Sequence, residues 1–212
     1  MATKKNAGKV FEECWKNSYE KLPIYYLRLL DTAKWNRGAQ SSFTPENPYD
    51  SLQFKMPFMW LLELKSTSGS SVSFYPNRPY EKSKKHKGNV MIKPNQVKSL
   101  MKAVETEGII AGFIINFRER KLKTISYSNE TFFVHIMDFI KFVEKTSKSG
   151  INREDCKKIG LKIDSKLKKV NYTYDVKGFT EISPKVYLER GHINREALQL
   201  AKSWIIELLQ ST

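Results

Sequence analysis

Phe58-Met-Trp-Leu-Leu-Glu-Leu-Lys65 is a hydrophobic run of strand length, and Asn47-Pro-Tyr-Asp50 precedes it by one hairpin. An Asn/Pro cluster before the run and a Ser/Gly cluster after it are typical of a buried strand. Glu63 and Lys65 lie two residues apart near its end, so both side chains project from the same face. A buried ion is strongly unfavourable unless it is paired or holds a metal. The two charges therefore need an explanation.

Two interpretations are open for this pair. On an edge strand, Glu63 and Lys65 form an ion pair that keeps the edge soluble. Asp50 favours a second interpretation, because it stands at the start of what reads as the preceding antiparallel strand. A turn around Lys55-Met-Pro57 joins the two strands. Such a hairpin brings Asp50 beside Glu63.

Asp50 followed by Glu63-Leu-Lys65 resembles the active-site motif of the PD-(D/E)xK nucleases. Further motifs, in the same order along the chain, resemble the RecU-type Holliday junction resolvases within that superfamily. The resemblance covers roughly residues 8–182. The motifs are Gly8 with Glu12 on a first helix, Pro94-Asn-Gln96, the strand in residues 108–116, and the closing segment Asn171-Tyr-Thr-Tyr-Asp-Val176.

The resemblance implies an α/β fold of the restriction-endonuclease-like type, in which helices flank a mixed β-sheet. We expect one nuclease domain over residues 1–212, with a core at about residues 8–182. Residues 183–212 form an extension that includes an added C-terminal helix with a wide apolar stripe. This helix either packs on the domain or forms part of a subunit contact.

The same resemblance assigns roles to the cluster. Hard divalent cations bind oxygen ligands and activate water. Asp50 and Glu63 are the expected carboxylate ligands of Mg²⁺ or Mn²⁺, with the backbone carbonyl of Leu64 as a third ligand. Lys65 is expected to orient the attacking water, or to accept its proton if the pKa of the amine is lowered, and to stabilise the phosphorus centre.

Two further residues come from the helix motifs. Glu12 and Glu13 both lie away from the centre of an apolar helix stripe, so periodicity does not choose between them. The spacing from Gly8 in the family motif selects Glu12, which is expected to complete the metal site. Gln96 lies in the first turn of a helix opened by Pro94, where it either positions water or the scissile phosphate or is a plain surface residue.

Charge predicts the partner. Lys and Arg number 37 against 22 acidic residues, which gives a formal net charge of +15 and predicts a polyanion, here DNA. A basic loop with Tyr75 and Tyr80 beside it is either a solvated loop or a DNA contact, where cations clamp the backbone and aromatic rings stack on bases. Its candidate DNA-binding residues are Arg78, Lys82, Lys84, Lys85, His86 and Lys87.

Localisation follows from what the sequence lacks. No apolar run approaches the roughly 20 residues of a membrane span, and no signal peptide opens the chain. Cys14 and Cys156 do not make a disulfide framework and are expected to be reduced. We therefore expect a cytoplasmic protein, in the host cytoplasm if the chain is encoded by a phage.

Other segments give coarser expectations. Residues 24–30 read as a strand or a continuation of the first helix, and residues 66–73 as a flexible segment. Residues 109–117 predict a central strand, with residues 122–127 as its antiparallel partner. Residues 132–143 predict a helix over the sheet.

The resemblance implies a Mg²⁺-dependent, structure-selective endonuclease that resolves four-way (Holliday) junctions by paired nicks as a homodimer. A two-fold protein suits a junction because it presents one site to each of two symmetry-related strands. Residues 31–49 are shorter than the projecting stalk of the RecU-type enzymes, which leaves two alternatives. One is another PD-(D/E)xK endonuclease acting on duplex DNA, and the other is a catalytically silent DNA-binding protein.

Overall fold

The computed structural model describes residues 6–29, 47–81 and 89–196, together with residues 199 and 203. The helices whose bounds lie within these residues are α1 (Ala7–Asn17), α2 (Pro94–Ala103), α3 (Ile136–Lys145), α4 (Arg153–Ile159) and α5 (Val176–Glu189). The described strands are β1 (Tyr25–Arg28), β2 (Ser51–Lys55), β3 (Phe58–Thr67), β4 (Ser71–Ser73), β5 (Ile109–Phe117), β6 (Arg120–Lys121), β7 (Ser126–Tyr127), β8 (Glu130–His135), β9 (Gly150–Asn152), β10 (Leu161–Ile163), β11 (Ser165–Lys168) and β12 (Asn171–Tyr174).

A six-stranded sheet forms the centre, in the order β1-β2-β3-β5-β8-β10. β3 and β5 pair in parallel, and the other neighbours pair antiparallel. Helices cover both faces, which allows strands such as β5 to be buried along nearly their whole length. This confirms the predicted α/β fold with a mixed sheet flanked by helices.

Each face of the sheet has its own apolar core. On one side, α1 and α5 pack against the even-numbered residues of β3, and the Trp60 indole N–H donates to the hydroxyl of Ser183 on α5 at 3.0 Å. On the other side, α2, α3 and α4 pack with Leu61 of β3. Since side chains alternate along a strand, Glu63 and Lys65 project on the same side as Leu61. The charged pair thus faces the α2 layer.

Of the predictions for individual strands and loops, the structure confirms some and contradicts others. Residues 24–30 adopt the strand alternative, as β1. The flexible segment predicted for residues 66–73 is wrong at both ends, because β3 continues to Thr67 and Ser71–Ser73 form β4, which pairs with β9. The predicted pairing of residues 122–127 with β5 is also wrong. The antiparallel neighbour of β5 is β8, and β7 pairs only with β6 in a two-stranded hairpin.

The helix predicted for residues 132–143 is correct from Ile136 onwards and wrong for the first four residues. The first part belongs to β8, and α3 begins at Ile136, where the His135 side chain accepts a hydrogen bond from Met137 N at 3.2 Å. At the C-terminus, α5 runs through position 183 without a break. The predicted C-terminal helix lies mostly outside the described residues. No helix in the described part of the chain is both long and apolar enough to span a bilayer.

Candidate active site

The β2–β3 hairpin brings Asp50 and Glu63 together. β2 and β3 pair in the register Ser51 to Leu62, and Asp50 N donates to the Leu62 carbonyl oxygen at 3.1 Å, which places Asp50 opposite Glu63. Beyond the last backbone hydrogen bond between the two strands, the Asp50 side chain bonds to β3 instead, since its Oδ2 accepts from Leu64 N at 2.7 Å. The juxtaposition predicted from the sequence is therefore present.

The backbone carbonyl group of Leu64 also lies at this edge of β3. The N–H and C=O groups of one strand residue point to the same neighbouring strand. Because Leu64 N points to the Asp50 carboxylate, the Leu64 carbonyl points to the same edge, just beyond the end of β2. This edge therefore gathers two carboxyl groups and one backbone carbonyl, the oxygen donors that a hard cation prefers.

Glu63 is 2% exposed, which is unusual for an ionisable side chain. Its Oε1 accepts a hydrogen bond from Lys65 Nζ at 2.8 Å, so the two charges project together as their spacing predicts. Lys65 is also largely buried, with 12% of its side chain exposed. The pair is thus not the solvated edge ion pair of the simpler interpretation.

Gln96 is directed at Glu63 by the start of α2. Pro94 occupies the first turn of the helix, and Gln96 Oε1 accepts from Lys93 N at 2.9 Å, as in a capping box. This contact orients the amide so that Nε2 donates to Glu63 Oε1. Of the two sequence alternatives for Gln96, the structure thus has the side chain turned to the carboxylate cluster.

The Gln96 contacts give a first prediction. Replacing Gln96 by Met removes both the acceptor for Lys93 N and the donor to Glu63, and we expect the free energy of unfolding to fall by about 1 kcal/mol. Lys98→Met on the exposed face of the same helix is the control and is expected to stay within about 0.5 kcal/mol. Urea denaturation measures both. Equal stability of the two variants would show that the Gln96 amide does not stabilise the helix start.

Electrostatics favour a proton on Glu63. Burial, which disfavours the ionised form, is the main reason that the pKa of Glu63 is raised to about 8. Lys65 lowers this pKa, but the Asp50 carboxyl group raises it both by its charge and by hydrogen bonding. Two neighbouring carboxyl groups repel each other when both are ionised. A divalent cation between them would remove this repulsion.

Glu12 lies on α1 and forms an ion pair with Arg28 of β1. The charges of Arg28, Asp50 and Glu12 all act on the pKa of Tyr26, which burial raises to about 12. These groups therefore lie within electrostatic reach of one another at the same edge of the sheet. Arg28 was missed by the sequence reasoning, because a lone Arg in a short strand carries no signal of its partner.

No ready-made cage for a metal is present in residues 6–29, 47–81 and 89–196, where no three His, Cys, Asp or Glu side chains gather in a ligand geometry. The donors available at the hairpin are therefore the carboxylates of Asp50 and Glu63 and the carbonyl of Leu64. These oxygens suit Mg²⁺ or Mn²⁺, which keep several water ligands and need only one or two carboxylates from the protein.

The predicted DNA-binding loop is only partly described. Arg78 is exposed and forms an ion pair with Glu81 at 3.3 Å, three residues along the chain. The other candidates, Lys82, Lys84, Lys85, His86 and Lys87, lie outside the described residues, as do residues 30–46, which contain most of the shortened stalk segment. Their contribution to DNA binding stays a prediction.

No protein-family model matches the chain. The SPbeta prophage-derived uncharacterized protein YotM of Bacillus subtilis (strain 168) is 34% identical over 183 residues, which cover 80% of this chain and 82% of YotM. Among solved structures, that of Archaeoglobus fulgidus Hjc, a Holliday junction resolvase from an archaeal hyperthermophile, matches with a TM-score of 0.36 and 15% identity, covering 73% of this chain and 90% of that one.

Proposed function

Since the chain belongs to the same family as the SPbeta prophage-derived protein YotM, whose name assigns no activity, we propose a function from the site that the chain carries. The protein is a metal-dependent DNA endonuclease that acts on four-way junctions. One observation carries this proposal: Asp50, Glu63 and Lys65 converge at one sheet edge, and Glu63 is buried beside a second carboxyl group. Burying an acid beside a second carboxyl group destabilises a fold, so a binding role explains the arrangement.

The residues present fit a divalent cation. Asp50, Glu63 and the Leu64 carbonyl would hold Mg²⁺ or Mn²⁺, and the pKa of Glu63, which burial raises, would fall with a cation beside the carboxylate. When bound, the cation lowers the pKa of water and neutralises charge that develops on a phosphate. Glu12, which pairs with Arg28 at the same edge, would act on the cation through a water ligand.

The side chains of the chain then have separate tasks. Lys65 orients the attacking water towards phosphorus and stabilises the negative charge of the pentavalent centre. Water adds to phosphorus, the bond to the leaving oxygen breaks, and a proton passes to that oxygen. Gln96 keeps the Glu63 carboxylate in one orientation and lies close enough to position water or the scissile phosphate.

The finer assignment is a RecU-type Holliday junction resolvase, and the ordered sequence motifs support it. A net charge of +15 suits a DNA partner, and a homodimer suits paired nicks on symmetry-related strands. The prophage origin of YotM supports a phage-encoded enzyme that serves recombination or repair. A phage enzyme works in the cytoplasm of its host.

The test compares a labelled four-way junction with a linear duplex of the same arm sequence, each with Mg²⁺ and with EDTA, at one fixed moderate salt concentration. We expect paired symmetric nicks in the junction only, and only with Mg²⁺. Denaturing gels locate the nicks, and the symmetry of the cut positions reports whether two sites act together.

Each other outcome removes a defined part of the proposal. Equal cutting of the linear duplex keeps the metal-dependent nuclease but removes junction selectivity. Binding without cleavage in either Mg²⁺ or Mn²⁺ removes the enzyme and leaves a DNA-binding protein. Cleavage that persists in EDTA contradicts the role assigned to Asp50 and Glu63.

A further inference from the structure

Two clefts open at the end of the sheet where β3 and β5 finish, and they share Ser68 and Arg118. Arg118 follows β5 directly, and its backbone N–H donates to the Thr67 carbonyl oxygen at 2.9 Å. One cleft, of about 200 Å³, lies between residues 68–70 and the start of α4. The other, of about 350 Å³, lies between the start of α1 and the β11–β12 hairpin. Arg118 thus stands on the ridge between them.

Two other arginines line the first cleft, and both are engaged in the fold. Arg153 donates to the Glu130 carboxylate and to the carbonyl oxygens of Phe117, Arg118 and Ser128. Its guanidinium lies over the Tyr127 ring at 5.5 Å. Arg120 donates to the Ser68 carbonyl oxygen at 3.2 Å and lies over the same ring at 5.5 Å. These two side chains build the cleft wall.

Arg118 differs from them. Its Nε is buried and has no hydrogen-bond partner. A buried donor on a charged group is destabilising when it is left unpaired, and the arginine fork matches the oxygens of a phosphate. The Arg118 side chain as a whole is only partly buried and lines both clefts, so an anionic ligand in either cleft can pair with its guanidinium.

The acidic side chains nearby have other partners. Glu130 accepts from Arg153, and Glu154 accepts from Lys157 at 2.9 Å. Glu119 accepts from the Tyr172 hydroxyl group at 3.2 Å. These carboxylates are thus engaged elsewhere, which leaves Arg118 for an external anion.

The position of Arg118 suits contact with a phosphate of the DNA molecule that would be cleaved at the Asp50–Glu63 site. Five residue steps separate Glu63 from Ser68, which directly follows β3, and at about 3.3 Å per step this is about 16 Å, or about five base-pair steps of 3.4 Å. A duplex arm lying along the strand direction passes both places. Contacts to backbone phosphates fix the register of a protein on DNA without reading its sequence.

We propose that Arg118, between these two clefts, binds a backbone phosphate of the DNA roughly five base pairs from the bond that is cut. The inference rests on the proposed nuclease function for the identity of the ligand. The anion site itself rests on the partly exposed Arg118 side chain, whose Nε has no partner, and on the cleft that Arg120 and Arg153 shape. Arg118 is a positioning residue, since it does not touch the reacting atoms.

The test measures junction binding by fluorescence anisotropy in EDTA, over a range of salt concentrations, so that cleavage plays no part. We expect Arg118→Gln to weaken binding roughly tenfold and to reduce the slope of log affinity against log salt by about one. Lys185→Gln removes the same charge from an exposed position on α5 and is the matched control, with a change of less than about threefold. Arg118→Lys keeps the charge and is expected to retain the salt slope while losing part of the affinity.

A second probe separates this inference from the nuclease proposal. Inorganic phosphate is expected to raise the thermal unfolding midpoint of the wild type and of Lys185→Gln, but not that of Arg118→Gln, whose fold is checked by circular dichroism. If phosphate stabilises through Arg118 while DNA does not bind, the anion site stands and the nuclease proposal falls. If DNA binds and Arg118→Gln matches Lys185→Gln in affinity and slope, the Arg118 inference is overturned. Should Arg118→Gln fail to fold, an unchanged affinity in Arg118→Lys would overturn it equally.

Discussion

Glu63→Gln is expected to lower the rate of metal-dependent junction cleavage by at least about 10³-fold while binding in EDTA changes by less than about threefold. Gln keeps the size of the side chain and an oxygen that can accept from Lys65. It removes the negative charge that would hold a cation beside Asp50. Since DNA binding depends on surface cations rather than on this buried group, affinity should survive.

The matched control is Glu105→Gln, the same chemical change at an exposed position just after α2. It is expected to cleave at the wild-type rate. Single-turnover cleavage with enzyme in excess gives the rate of the chemical step, and anisotropy gives affinity. A Glu63→Gln enzyme that cuts within about tenfold of the wild-type rate would contradict the assignment of Glu63 as a metal ligand.

The candidate site could be predicted from the sequence because strand geometry fixes the relation between its residues. The even spacing of Glu63 and Lys65 puts both charges on one face of a strand whatever the rest of the fold does. A hairpin turn after Lys55 fixes the register to Asp50 within one or two residues. Both relations are local, so a pattern in the sequence carries them. The motif resemblance then supplied the roles, which no spacing alone could provide.

Contacts between segments that are distant in the sequence could not be predicted in the same way. Arg28 meets Glu12 only because β1 lies at the sheet edge beside α1, and neither residue carries a mark of the other. Pro94 predicted the start of a helix and so placed Gln96 in its first turn. The sequence did not decide whether the Gln96 side chain points to the carboxylates or to solvent. The capping contact with Lys93 N selects the orientation towards Glu63.

The boundary between β8 and α3 shows a different limit. β8 is a strand within the sheet with both faces covered, so residues 131–135 are all buried and show no alternation. The apolar run continues into the buried face of α3, and periodicity alone does not mark the change. His135 ends the strand and caps the helix, and its buried ring has a pKa lowered to about 3, chiefly by desolvation.

The pKa of Glu63 makes stability a second test of the site. In the folded protein this pKa is raised from 4.5 to about 8, so between these values the folded state binds a proton that the unfolded state lacks. The contribution of Glu63 to the free energy of unfolding is therefore fully present below about pH 4.5 and is lost as the pH rises to about 8. We expect a loss of about 3–4 kcal/mol between pH 5 and pH 8 without divalent cations.

The measurement is the difference between wild type and Glu63→Gln in urea denaturation across that range. The difference matters because the lowered pKa of His135 acts in the opposite direction, destabilising the fold as the pH falls below about 6.5, and it cancels between the two proteins. Mg²⁺ should stabilise the wild type more at pH 8 than at pH 5, since it binds the ionised carboxylates, and should have little effect on Glu63→Gln.

An identical pH dependence in both proteins would mean that Glu63 does not titrate in this window. A pH dependence that Mg²⁺ leaves unchanged would instead place the cation away from the Asp50–Glu63 pair, because a ligand that binds only the ionised pair must shift its protonation equilibrium.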